Sequence, residues 1–180
     1  MRDGWSRHDV TVQVAAGVAI LSLLALFSAI EAVRPLRARV DAWGRRALVN
    51  AGTFALAEAV AGPLRYVIVV PAARWVAERD FGLVRLVEMP PAVRVVLALV
   101  LLDLTLWAWH VLNHRVGWLW RFHAAHHADL DLDATTALRF HFGEFGLSVG
   151  WRLMQVVVIG VGPAVLFAGE AGTLGLTLFH

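Results

Sequence analysis

The sequence has 180 residues, 59% of them hydrophobic and 17% charged, with a formal net charge of +2 and a mean hydropathy of +0.66, against about 45–50% apolar and about 25% charged residues in a soluble domain. That balance argues against a disordered chain, a collagen-like repeat and an ordinary soluble enzyme. The absence of cysteine removes disulfides, thiolate catalysis, iron–sulfur clusters and cysteine-ligated zinc, and a charge of +2 is too small for a nucleic-acid footprint.

Val10 to Ile30 carries no charge; as a helix it extends about 32 Å, enough to cross a hydrocarbon core. The arginines of the following loop, Arg34, Arg37, Arg39, Arg45 and Arg46, mark a cytoplasmic side. A second apolar run, Ala47 to Val70, is interrupted by Gly62-Pro63 and carries Glu58 and Arg65, so a kink is expected. Pro71 to Pro91 reads as an interfacial connection, and Ala92 to Leu112 as a third span. After a polar segment, Asn113 to Gly143, two apolar runs of about 24 Å each, Phe145 to Gly160 and Ala164 to Phe179, flank Gly160-Val161-Gly162-Pro163. They predict a helical hairpin dipping into the bilayer. The expected fold is all-α: one multi-pass membrane domain over residues 1–180, with about three spans, a C-terminal hairpin and the histidine motifs at cytoplasmic helix ends. The basic residues are all arginine, as expected from a GC-rich bacterial genome, so the expected location is a bacterial inner membrane.

Five of the eight histidines lie between positions 110 and 127. His110 and His114 form H-x-x-x-H; His123, His126 and His127 form H-x-x-H-H. On helices both spacings put the rings on one face. Neutral imidazole suits iron, zinc, copper or nickel, and five nitrogens exceed the needs of one tetrahedral zinc. The count favours two metals, or one metal with further histidines around it. Asp103, a costly charge inside the third span, shares a stripe with His110 and His114 and is expected to accept an N–H from a ligating ring. A proton relay, a bis-histidine haem site and a non-enzymatic metal-binding or transport protein are alternatives. A zincin protease is disfavoured, because Val111 stands where H-E-x-x-H needs its glutamate.

Three stretches carry a family resemblance. Residues 102–115 (LDLTLWAWHVLNHR) resemble a D-x-x-x-(Y/W)-x-x-H-x-x-x-H-R signature. Residues 119–127 (LWRFHAAHH) resemble an L-W-R-F-H-x-x-H-H box, and residues 133–144 are similar to the T-A-x-R-x-H-P-x-E segment that follows it, with Phe142 in the place of proline. The family is the fatty acid hydroxylase/sterol desaturase superfamily, and the match is specific over 102–144. The resemblance implies a membrane oxygenase with two non-haem irons that uses O₂ to hydroxylate or desaturate a lipid C–H bond. It implies His110, His114, His123, His126 and His127 as ligands, and orienting roles for Arg121, Arg139, His141 and Glu144. The family pattern continues with another histidine and a final H-x-x-H-H box. Here Leu178-Phe179-His180 is similar to the start of that part, making His180 a further candidate ligand and leading to the expectation that this stretch alone is inactive. The absence of a flavin, haem or iron–sulfur motif implies an external donor, cytochrome b5-like or a ferredoxin and its reductase. The expected partners are therefore this donor and a bilayer lipid, with no nucleic acid.

Overall fold

The structure, a computed structural model, describes residues 7–35 and 38–179. Seven α-helices carry the fold among the described residues: α1 (Arg7–Val33), α2 (Trp43–Leu64), α3 (Val70–Arg79), α4 (Pro91–Arg115), α5 (Gly117–His127), α6 (Phe142–Gln155) and α7 (Pro163–Phe179). No strand occurs among those residues. The all-α membrane expectation holds. Among the described residues, three helical runs are long and apolar enough to cross a bilayer: Trp43–Arg85, Pro91–Arg115 and Phe142–Gly160.

The second expected span is longer than its apolar stretch, because α2 continues through Pro63 into a π-helical turn, Arg65–Val69, and then into α3. Pro63 and Pro71 each lack an N–H, and a widened turn between them is one way a helix absorbs lost i→i−4 bonds. The region read as an interfacial connection is therefore partly helix. The hairpin also departs from expectation. Its first arm starts at Phe142 and ends in a second π-turn, Val156–Gly160, giving 19 residues, enough to cross, where the apolar run predicted a shorter arm. Its bend is tied to the α3–α4 connection. Gly160 (φ +94°) and Gly82 (φ +108°) meet backbone to backbone, and a Cβ on Gly160 would lie 2.6 Å from the Phe81 carbonyl oxygen.

The core is built from small and β-branched residues, among them Ala61, Ala73, Ala98, Val76, Val156 and Ile159. Such residues let helices approach closely where lipid supplies no hydrophobic drive for association. Polar side chains add specific ties between α4 and α6. Buried Gln155 donates to the Leu102 carbonyl (3.1 Å) and to Thr105 Oγ1 (2.5 Å), and Trp151 Nε1 donates to the Thr105 carbonyl (3.1 Å).

One end of the bundle is pinned by charge. Arg46, 4% exposed, donates to Asp129 Oδ1 (2.8 Å) and Asp133 Oδ2 (2.7 Å). The Val40 and Asp41 N–H groups donate to Asp131. The loop after α5 is thus fastened to the segment before α2, and the arginine loop and the histidine helices share one end of the bundle, as expected. Burial alone would raise the Asp129 pKa, but hydrogen bonds from Arg46, Asn50 and Thr136 hold it well below the usual carboxylate range.

Candidate metal centre

α4 and α5 meet at a one-residue corner, Val116, whose extended backbone (φ −98°, ψ 110°) stops one helix and starts the next. The last turns of both helices therefore face each other. His110 and His114 occupy successive turns of α4, and His123 and His127 successive turns of α5. One ring nitrogen from each of the four lies within 4.8 Å of all the others. The Nε2 atoms of His110 and His114 are 3.1 Å apart, and those of His123 and His127 3.2 Å apart. Donors about 2.1 Å from one ion sit about 3.0–3.4 Å from their nearest neighbours, so these spacings fit ligation of a single metal. Trp120 packs against the His114 and His127 rings (centroids 5.2 and 5.7 Å).

Neighbouring groups set the tautomers. Buried His123 Nδ1 lies 2.9 Å from Glu144 Oε1. A carboxylate only accepts, so Nδ1–H donates and Nε2 turns its lone pair toward the cluster. Glu144 is held there at the start of α6, whose N-terminus is capped by His141 Nδ1 accepting the Gly143 N–H (3.0 Å).

His126 stands apart from the four. Its Nδ1–H donates to the Arg139 carbonyl (3.2 Å), its ring stacks on Phe140 (5.2 Å, 11°), and Nε2 has no hydrogen-bond partner among the described residues. Burial, partly offset by that hydrogen bond, lowers its pKa below the ordinary histidine value and keeps it neutral. Arg139 ties the same region down, donating from Nε to the Ala125 carbonyl (3.0 Å).

The other candidates fall elsewhere. Asp103 is exposed and makes no hydrogen bond or ion pair among the described residues; the carboxylate that orients a cluster histidine is Glu144, from another helix. Arg121 is likewise exposed without a partner among those residues. His180 lies outside the described residues.

The cluster opens onto a cavity of about 410 Å³, between α2, α4, α6 and α7, whose walls include His110, His123, His126, Trp109 and Phe145. Two buried oxygens on this wall, Glu144 Oε2 and Asn113 Oδ1, have no hydrogen-bond partner among the described residues. Unpaired lone pairs beside free imidazole nitrogens are the surroundings a cation completes. Asn113 escaped the sequence reading, although it sits inside H-V-L-N-H; its Nδ2 donates back to the Trp109 carbonyl (2.9 Å). Of the four tryptophans near the motifs, Trp109 lines the cavity, whereas Trp107 and Trp118 face outward.

Comparison with known proteins agrees with this geometry. Residues 95–180 match the fatty acid hydroxylase family model. Over those residues the chain is similar to that family. The matched stretch contains all the box histidines, Arg139 and Glu144, and it supports the resemblance to the fatty acid hydroxylase/sterol desaturase superfamily. A stretch of 74 residues is 32% identical to cholesterol 25-hydroxylase of Mus musculus and covers 41% of this chain. It spans about a quarter of the mouse protein's length (25%). No solved structure matches the chain.

Proposed function

We propose that this protein is a membrane non-haem iron oxygenase that hydroxylates or desaturates a C–H bond of a lipid, with O₂ as co-substrate. The observation that carries the reading is the convergence of four imidazole nitrogens at the mouth of a largely apolar cavity inside a helical membrane domain. The donor set is all nitrogen and oxygen, without sulfur, which suits iron. His110, His114, His123 and His127 would hold one ion. His126, on the cavity wall with its Nε2 unpartnered among the described residues, is the nearest described histidine for a second, and His180 a further candidate. When bound, iron supplies the reductive activation of O₂ that lets an unactivated C–H bond be broken.

The chain's own residues do the positioning. Glu144 fixes the His123 tautomer, the Arg139 carbonyl fixes that of His126, and the aromatic wall of Trp109, Phe140 and Phe145 keeps the reacting carbon away from bulk water. In hydroxylation, one oxygen atom of O₂ enters the C–H bond and the other leaves as water, with an electron pair and protons from an external donor. A cytochrome b5-like protein or a ferredoxin with its reductase fits that role, and the histidine end of the bundle, on the cytoplasmic side of a bacterial inner membrane, is where it would dock.

The test is metal analysis of the full-length protein that carries these residues, purified in lipid nanodiscs, combined with an O₂-uptake assay using a chemical reductant and extracted membrane lipids. Iron in the protein and O₂-dependent lipid oxidation are expected. Metal bound without O₂ uptake would reject the oxygenase in favour of a non-enzymatic metal-binding protein.

A further inference from the structure

The cavity has a second polar end that the metal centre does not use. On α6 its lining runs Glu144, Ser148, Arg152, one residue per turn, so Arg152 lies about 12 Å along the helix from Glu144. Along α2 and into the π-turn that follows it, the lining runs from Phe54 through Glu58 to Arg65. At this far end two ion pairs face the cavity: Arg65 with Glu58, and Arg152 Nε with Glu170 Oε1 of α7 at 3.2 Å. Arg152 Nη1 also donates to Gln155 Oε1 (2.9 Å). All four side chains are partly exposed, 18–32%, and all four line the cavity.

These charges sit near the middle of apolar spans, where an ionisable residue costs about 2.5–3.5 kcal/mol on insertion scales. Holding the hairpin together needs no cavity beside the pairs. The cluster is also the wall shared with a second cavity of about 290 Å³, since Arg65 and Glu170 line both.

The chemistry of the cluster restricts the ligand. Two guanidinium groups and two carboxylates sum to zero charge. An anionic head would add an unpaired charge in a low-dielectric site beside two carboxylates. A hydroxyl adds no charge, donates to a carboxylate and accepts from a guanidinium. The walls between the cluster and the histidines are dominated by apolar and aromatic groups, such as Leu106, Trp109, Phe145 and Val149. We infer that the cavity takes a lipid with a neutral hydroxyl head, seated between Arg65–Glu58 and Arg152–Glu170, so that the carbon presented to the histidines lies on the apolar tail, remote from the head. This rests on the oxygenase reading for what happens at the tail, but the seating itself requires no metal.

The experiment is photo-crosslinking of the full chain in nanodiscs with hexadecan-1-ol and hexadecanoate probes, each carrying a diazirine either near the head or near the chain terminus. Adducts are mapped by mass spectrometry. For the alcohol, head-proximal label is expected on the Arg152 and Glu170 segments, and terminal label around Phe140 and Phe145. The alcohol should label about tenfold better than the acid. Glu170→Gln leaves Arg152 without its carboxylate and should reverse that preference. Reversed labelling, no labelling in the cavity, or equal labelling by acid and alcohol would each overturn the inference. A preference unmoved in a folded Glu170→Gln protein would reduce the Arg152–Glu170 pair to a hairpin staple. The failures are separable: oriented labelling in a protein without iron rejects only the oxygenase, whereas lipid oxidation with reversed labelling rejects only the seating.

Discussion

Replacing Glu144 weakens metal binding by an amount that follows from its contact with His123. The pair is buried, with His123 2% and Glu144 5% exposed, and is separated by 2.9 Å. A hydrogen bond to a charged group contributes about 1.5–3 kcal/mol, and a neutral one about 0.5–1.5 kcal/mol. Glu144→Gln keeps an acceptor oxygen but loses the charge, a cost of about 1–1.5 kcal/mol or roughly tenfold in metal affinity. Glu144→Ala leaves His123 Nδ1–H buried without an acceptor and should approach the ~100-fold end of the ~10–100-fold range for loss of a histidine's orienting partner. Asp103→Asn serves as the control, because exposed Asp103 has no partner among the described residues; its affinity should match the wild type. The assay is competition between the detergent-purified protein and a chromophoric chelator for Fe²⁺ or Co²⁺, with helical circular dichroism checking the fold. Wild-type affinity in a folded Glu144→Ala protein, or a larger loss from Asp103→Asn than from Glu144→Gln, would refute the reasoning.

Further outcomes follow from other contacts. His126→Ala leaves the four-nitrogen cluster intact, so one tightly held metal per chain should remain while lipid oxidation is lost; metal analysis beside turnover checks this, and loss of all metal contradicts it. Arg46→Leu strips the counter-charge from buried Asp129 and Asp133, a change costing about 3–5 kcal/mol. It should release the loop after α5, seen as new proteolytic cleavage between residues 128 and 141; an uncut loop would count against the pinning. Gly160→Ala forces a Cβ onto a backbone at φ +94° and against the Phe81 carbonyl, costing about 1–2 kcal/mol from the conformation alone. A lower midpoint in detergent unfolding is expected, and an unchanged one disagrees.

The parts of this protein that were legible in its sequence are those written by local periodicity. Uninterrupted apolar runs gave the helices, and i, i+4 histidine spacing gave the paired rings on α4 and α5. What the sequence hid depends on long-range pairing. Arg46 read as one of several loop arginines, yet it is buried among aspartates more than 80 positions away. The alternating Asp129, Asp131 and Asp133 were the available signal, because three acids at every second position of an otherwise apolar loop need a cation. Asp103 illustrates the opposite error. A shared helical stripe predicted contact with the histidines, but a side chain two turns away on the same helix cannot reach where a residue from a crossing helix can, and Glu144 of α6 fills that place. The charges of the cavity's far end were visible one by one as Glu58, Arg65, Arg152 and Glu170 in apolar runs, but their meeting on one wall is tertiary information.

The account depends most directly on whether four imidazoles grip a common ion. X-ray absorption at the iron edge of the reconstituted full chain, compared with His114→Ala, measures this. The account predicts a nitrogen shell near 2.1 Å with the outer-shell signature of about four imidazoles in the wild type and one fewer in the variant. An iron held by one imidazole or none, or a spectrum indifferent to His114, would contradict it.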